Sequence, residues 1–261
     1  MDIVVCMKHI ADLQQIRIKE RRPILENVPL VWGDLDKNAM EEAVRVKEKA
    51  GEGKITVVAL GSEKLQQGIL EPLAMGADEA VLLTDAAFAG SDSMGTAKVL
   101  AKAIEKIGAY DLVILGEGST DNYSGIVGSA LAELLDLPEI TYVRELEVED
   151  SRVKAVRTME ESFEVMEAEL PAVVTVAQEI NEPRLPKFMA IRKAGAKPRH
   201  EWGPADLGLS ENEIGKSAAT VETLSNLAPE QDRKNIMLEG DLDEKIDSLV
   251  DALIKEGVLG R

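Results

Sequence analysis

The chain has 261 residues, 45% hydrophobic and 30% charged, with a formal net charge of −18 at pH 7 and aromatics at 3%. This is the balance of a folded globular chain, and it argues against a nucleic-acid partner, whose backbone would be repelled and whose bases would find few rings to stack on. One cysteine and two histidines exclude an internal disulfide framework and disfavour a structural zinc site, and no apolar run reaches the roughly 18 residues of a membrane span.

The N-terminus enters a strand directly at Ile3–Cys6, without a basic region or cleavage site, so a cytoplasmic protein with no signal peptide is expected. Met7-Lys8-His9 then lies just past the strand's C-terminal end, where ligands bind in open α/β sheets. Cys6 reads as a small core residue rather than a reactive thiol. Residues 12–31, with bends at Arg22-Pro23 and Val28-Pro29, predict a hairpin or loop. Asp36 reads as the N-cap of a helix over 37–50 that buries Ala39, Met40, Ala43, Val44 and Val46 and stops at Gly51 and Gly53. The loop Gly33-Asp34-Leu35-Asp36 before it is a candidate pocket wall.

Three strand–helix units follow. Ile55–Leu60 leads through Gly61-Ser62 to a helix over Glu63–Met75, interrupted by Pro72. Glu79–Leu83 leads to a helix over Met94–Ile107, introduced by Ser91-Asp92-Ser93. The third unit organises the chain. Strand Leu112–Leu115 runs into Gly116-Glu117-Gly118-Ser119-Thr120-Asp121-Asn122, and a helix is expected from Tyr123 or Ser124, with Ile126, Val127, Ala130, Leu131, Leu134 and Leu135 on one face. Strand, small-residue loop and helix N-terminus together offer free N–H groups and a positive dipole end to a phosphate. The glycines allow close backbone approach. The motif is incomplete, however: Gly116-x-Gly118 lacks the third glycine of the dinucleotide fingerprint, and there is no GxxxxGK[ST] loop.

Alternation of strands and helices predicts an α/β, Rossmann-like, mostly parallel sheet. Ile140–Val148, Val153–Thr158, Phe163–Ala168 and Val173–Val176 read as antiparallel strands that extend it, with a hairpin turn at Glu149–Arg152. Asn181–Pro186 is a breaker cluster, and a small basic segment over Ile191–His200 reads as a solvated linker or a partner-contacting loop. Residues 201–241 show little periodicity, and a final amphipathic helix over 242–256 presents Ile246, Leu249, Val250, Leu253 and Ile254. The expected division is a nucleotide-binding domain over 1–183, a recognition loop and linker over 184–200, and a C-terminal arm with a terminal helix over 201–261. No paired-carboxylate, Ser/His/Asp or metal-ligand constellation stands out, and no Ser-Gly-Gly-x-Asp-Ser loop follows the first strand. A self-contained enzyme is therefore the weaker reading.

The sequence resembles the β subunit of electron transfer flavoproteins over nearly its whole length. The resemblance is carried by Val4–Asp12, Glu41–Glu48, Leu73–Asp78, Asp111–Gly116, Leu170–Thr175, Asn181–Arg184 and Ala205–Gly208, in order. It implies an adenine-nucleotide α-hydrolase-like fold and an electron carrier, not an enzyme in itself. It also implies a heterodimer with an α subunit that carries most contacts to a shared FAD, and a second nucleotide, AMP or FAD, buried in this chain. By position that pocket would be lined by Cys6, Gly33, Asp34, Leu35, Asp36 and Leu60. Gly116, Gly118, Ser119, Thr120, Asp121, Asn122, Tyr123, Ser124, Gly125, Ile126 and Val127 would complete it. Arg184–Lys193 would dock partner dehydrogenases, with Phe188 as the apolar anchor and Arg184, Arg192 and Lys193 beside it.

The chain departs from the family at the loop. AMP-type members carry Asp-x-Asp-x-x-Gln-Thr-Gly and FAD-type members Asp-Gly-Asp-Thr-x-Gln-Val-Gly, where this chain reads Asp121-Asn122-Tyr123-Ser124-Gly125-Ile126-Val127-Gly128. Val127-Gly128 and Ser124 lean towards FAD, whereas Tyr123 and Ile126 match neither type. Gly33-Asp34 also stands where Asn-Pro often precedes Asp36. A homodimeric ATP- or AMP-binding regulatory protein of stress-protein type is the alternative, disfavoured by the long segment after Asn181. A stand-alone NAD-linked enzyme is disfavoured by the incomplete fingerprint.

Overall fold

A computed structural model describes residues 1–230 and 234–259. In chain order the elements are β1 (Asp2–Met7), β2 (His9–Ala11), β3 (Arg17–Lys19), β4 (Arg22–Ile24), β5 (Leu30–Trp32), α1 (Asp34–Ala50), β6 (Lys54–Leu60), α2 (Leu65–Gly68), α3 (Leu70–Met75), β7 (Glu79–Leu83), α4 (Ser93–Ile107) and β8 (Leu112–Gly116). They continue with α5 (Val127–Leu135), β9 (Glu139–Glu149), β10 (Arg152–Thr158), β11 (Phe163–Glu169), β12 (Ala172–Val176), α6 (Phe188–Ala194), β13 (Arg199–Glu201), α7 (Gly215–Ala218) and α8 (Leu242–Lys255). Two compact units divide the chain: residues 1–17 with 24–225, and residues 18–23 with 226–261.

In the larger unit, nine strands form one sheet in the order β11-β10-β9-β12-β8-β1-β6-β7-β13 among the described residues. From β9 to β13 every neighbour is parallel, and β10 and β11 are added antiparallel at one edge. The central strands are buried on both faces, which explains their unbroken apolar runs. Ile3, Val5 and Met7 of β1 face one core layer with α1 and α3, while Val4 and Cys6 face a second with α4 and α5. Period-two alternation thus splits one strand between two cores. β1, β6 and β7 step outward in one direction, after which the chain crosses back to lay β8 on the other side of β1. The loops after β1 and β8 therefore diverge at a topological switch point, where parallel sheets hold ligands.

Several sequence expectations are corrected. Val173–Val176 is not an antiparallel addition: as β12 it is inserted parallel between β8 and β9, because its buried run suits the sheet interior rather than an edge. The hairpin of residues 17–24 turns at Glu20 and Arg21, both with positive φ, and Pro23 lies within β4 instead of marking a bend. The expected helix over 63–75 is two short helices that break ahead of Pro72, not at it. Proline cannot donate to the carbonyl four residues earlier, here Gly68. The Trp32 indole N–H takes that carbonyl instead, at 2.9 Å. Trp32→Phe should leave the Gly68 carbonyl without this donor and lower stability by about 1–3 kcal/mol, measurable by denaturant unfolding.

The segment after residue 183 is also more integrated than a linker and arm. Residues 188–194 are helix α6, which buries Ala194 in the first core layer, and 199–201 pair with β7. Leu207, Leu209 and Ile214 are buried in the second layer. The compact unit therefore runs to Ser225. In the smaller unit, α8 opens with a capping box, the Asp241 side chain accepting from the Glu244 N–H at 3.0 Å. Its Ile246, Leu249, Val250 and Ile254 are exposed.

Candidate functional site

Three backbone segments meet at the C-terminal ends of β1 and β8. The first is the end of β1, where the Lys8 ammonium pairs with Asp121 at 2.8 Å and reaches the Ser119 hydroxyl at 3.3 Å. The second is the start of α1. Gly33 is its N-cap, with no side-chain cap, and Asp36 lies inside the first turn rather than at the cap position predicted for it. The third is the loop from Gly116 to Ile126. Helix α5 starts at Val127, later than expected, because Tyr123 and Gly125 take left-handed φ values of 46° and 64°, which no helix start admits.

Glycine is required where these segments touch. A Cβ on Gly116 would stand 2.8 Å from the Leu35 Cβ and 3.3 Å from the Gly118 carbonyl oxygen, and one on Gly33 would stand 2.5 Å from the Asp36 Oδ2. The α1 N-terminus and the loop thus pack backbone to backbone. Gly116→Ala should lower stability by about 1–3 kcal/mol and spread the two segments, which a thermal melt together with a nucleotide-content assay would register.

Within the loop, the N–H groups of Glu117, Asn122 and Tyr123 bond to the carbonyls of Val176, Ser119 and Ser119. Those of Gly118, Thr120, Ser124, Gly125 and Ile126 have no acceptor among the described residues. Helix α5 presents an N-terminus with no side-chain cap and no acid in its first turn, so its dipole favours an anion here, whereas the first turn of α1 already carries Asp34 and Asp36. Ser93, at the start of α4, adds its hydroxyl 3.1 Å from that of Ser124. The chemistry on offer is anion binding by backbone donors with one lysine, which fits the phosphate of a nucleotide. Gly116, Gly118 and Gly33 form the cradle that a Cβ would fill.

The titratable groups at the site are pulled apart. Burial pushes the Asp36 carboxyl up to about 7, even though its Oδ1 accepts the Lys8 N–H at 3.0 Å, and its buried Oδ2 has no partner. Asp121 is half-buried, which raises its pKa, but hydrogen bonds from Lys8 and Ser119 more than offset this and hold it below the ordinary carboxylate range. Cys6 is packed into the second core layer, and burial followed by the Asp36 charge pushes its thiol up to about 12. It is inert and not part of an exposed wall. Leu60 ends the neighbouring strand, half-buried.

The structure thus brings together Gly33–Asp36 and Gly116–Val127, with Cys6 and Leu60 at adjacent strand ends. Sequence reasoning gave no site role to Lys8, Ser93 or Tyr142. A lysine just past a buried strand was a usable signal for the first. Tyr142 is placed by an irregularity in β9, where Val174 pairs with Ile140 but Val176 with Val143, and nothing in the sequence marks it. A cavity of about 620 Å³ lies elsewhere, beside the ends of β6 and β7, and is lined by polar residues including Glu63, Thr84, Asp85 and Glu201. No group of three or more His, Cys, Asp or Glu residues among the described residues could hold a metal ion.

The expected docking segment divides in two. Arg184 is engaged within the chain: it donates to Glu41 at 2.7 Å and to Glu48 at 2.7 Å, and both carboxylates sit on α1. Asn181 is tied to Asn38 and Glu42 of the same helix. Beyond this clamp Leu185 is 90% exposed and Phe188 73%, with Met189 and Ile191 also outward. Arg192 and Lys193 are exposed as well. Phe188 therefore does not pack on its own domain.

A mostly parallel sheet with helices on both faces, whose β1 and β8 loops diverge at a switch point, defines an α/β protein of Rossmann-like class. Comparison with known proteins specifies it further: a model of the electron transfer flavoprotein domain matches residues 25–207, and the chain belongs to that family. It is 38% identical to the electron transfer flavoprotein subunit beta of Thermoanaerobacterium thermosaccharolyticum, over 99% of this chain and 100% of that one. Over the same shares it is 34% identical to subunit CarD of the caffeyl-CoA reductase-Etf complex of Acetobacterium woodii, and 30% identical to the subunit beta of Megasphaera elsdenii. Its role is electron transfer. No helix among the described residues is long and apolar enough to cross a membrane.

Proposed function

We propose that this chain is the β subunit of a heterodimeric electron transfer flavoprotein, pairing with an α subunit that shares a redox FAD, and that it holds a second adenine nucleotide at the β1–β8 switch point. The supporting observation is end-to-end similarity to β subunits combined with a loop whose free N–H groups suit phosphates. FAD, when bound, supplies redox chemistry through its isoalloxazine ring. The side chains and backbone of this chain bind and orient. Gly118, Thr120, Ser124 and Gly125 offer N–H donors, and Lys8 can leave Asp121 to meet a phosphate. Burial raises the Asp36 carboxyl to about 7, which lessens the like charge it presents to the phosphates near neutral pH.

FAD is favoured over AMP in the second position by Val127-Gly128 and Ser124. The match to a subunit of the caffeyl-CoA reductase-Etf complex supports asking whether two flavins cooperate in splitting electron pairs. Leu185, Phe188, Arg192 and Lys193 form the dehydrogenase-docking surface, an apolar anchor with a basic rim, and Arg184 holds it in place. The exposed face of α8 supports an arm that closes on the α subunit. A cytoplasmic setting agrees with a lone buried thiol.

The test is co-expression with an α-type subunit. A stable one-to-one complex carrying FAD is the expected result; a homodimer that ignores the α subunit and binds ATP would overturn the proposal.

A further inference from the structure

The chain has three tyrosines, and two of them border the loop in backbone conformations that side chains avoid. Tyr123 has φ 46° and Tyr142 φ 54°. Both rings are outward, 55% and 39% exposed, so burial in the protein does not offset the strain. Hydrogen bonds hold them instead. The Tyr123 hydroxyl donates to the Glu117 carboxylate, and the Tyr142 N–H donates to the Thr175 hydroxyl at 3.1 Å. The irregularity in β9 aims Tyr142 at the loop, as bulges beside binding sites do. A Cβ on Gly118 would stand 3.3 Å from the Tyr123 ring, and one on Gly125 would stand 3.6 Å from the Tyr142 hydroxyl, so both tyrosines line the same loop.

Resting on the reading of this loop as the nucleotide site, we propose that Tyr123 and Tyr142 form an aromatic ledge that stacks the isoalloxazine ring of a bound flavin and so selects FAD over AMP. Exposed rings on strained backbone, the Tyr123 ring held through its hydroxyl and Tyr142 through its backbone N–H, are preorganised platforms for a flat partner. Their exposure favours the flavin over the purine. A redox ring has to stay within reach of a donor or acceptor, whereas a structural adenine gains nothing from an open edge. The departure of Tyr123 from both family patterns thereby acquires a physical role.

The experiment is titration of the complex with the α subunit, depleted of its second nucleotide, with FAD and separately with AMP, following flavin fluorescence and heat. Tyr123→Gly relaxes the backbone at that position, so weaker binding there is not a folding defect; Tyr123→Phe keeps the ring. Tyr123→Gly should weaken the second FAD by roughly tenfold to a hundredfold, leave AMP within about twofold and brighten the bound flavin, whose emission a stacked tyrosine quenches. Tyr123→Phe should bind FAD as the parent does. Equal loss of FAD and AMP, or no loss of either, would overturn the ledge while leaving the nucleotide site intact. A parent complex that takes up no second nucleotide would remove the site itself and the ledge with it.

Discussion

Arg184→Ala is expected to destabilise the chain by about 2–3 kcal/mol and to lower its melting temperature by roughly 5–10 °C. The Glu41 side chain it leaves behind is only 3% exposed. Burial alone would raise the Glu41 pKa, but hydrogen bonds from Arg184 and Arg45 reverse this and hold it below the ordinary range. A depressed carboxylate contributes stability above its unfolded pKa and loses it as pH falls through the folded value. The parent should therefore weaken on acidification below about pH 4.5. In the variant Arg45 remains at 2.8 Å but cannot satisfy both oxygens, so the largest loss falls at neutral pH and shrinks as Glu41 protonates. Segment 185–194 also loses its tie to α1, so weaker docking of a dehydrogenase should accompany the thermal shift. Unfolding curves from pH 4 to 8 would read the first effect and binding assays the second. Unchanged stability at pH 7 would show that the clamp carries no energy.

Asp36→Asn should act in the opposite direction. Burial raises this carboxyl from 3.8 to about 7, so the folded chain binds the proton more tightly than the unfolded one. Stability then declines as pH rises from about 4 to 7, by a total on the order of 4 kcal/mol at about 1.4 kcal/mol per unit. Asparagine keeps an acceptor for the Lys8 N–H but places an amide N–H where Oδ2 has no partner, which returns part of the gain. A net stabilisation of about 2 kcal/mol at pH 8 and none at pH 4 is expected. Denaturant unfolding at the two pH values checks it, and a variant no more stable at pH 8 would show that Asp36 titrates normally.

The sheet was legible because its strands are short, apolar and separated by helices of ordinary length. Glu79–Leu83 came out with the predicted bounds. The loop after β8 was legible as a break between strand and helix because glycines and small polar residues follow a buried apolar run. What the sequence did not reveal depends on contacts made at a distance. Val173–Val176 reads the same as an edge or an interior strand, and only its pairing with Leu112–Gly116 decides. Arg184 looks like one more exposed cation until Glu41 and Glu48 arrive from 143 and 136 residues away. Asp36 has the composition of a cap but sits one turn in, because Gly33 starts the helix. Tyr123 and Tyr142 owe their placement to left-handed backbone that no propensity for tyrosine foretells.

The most direct test is acid release of the nucleotides from the purified complex of this chain with its α subunit. Two nucleotides per heterodimer are expected: one redox FAD, and a second FAD held by the Gly116–Ser124 loop. One FAD with one AMP would keep the electron carrier and the switch-point site but contradict the preference for flavin. A single FAD with nothing in this chain would contradict the nucleotide site altogether.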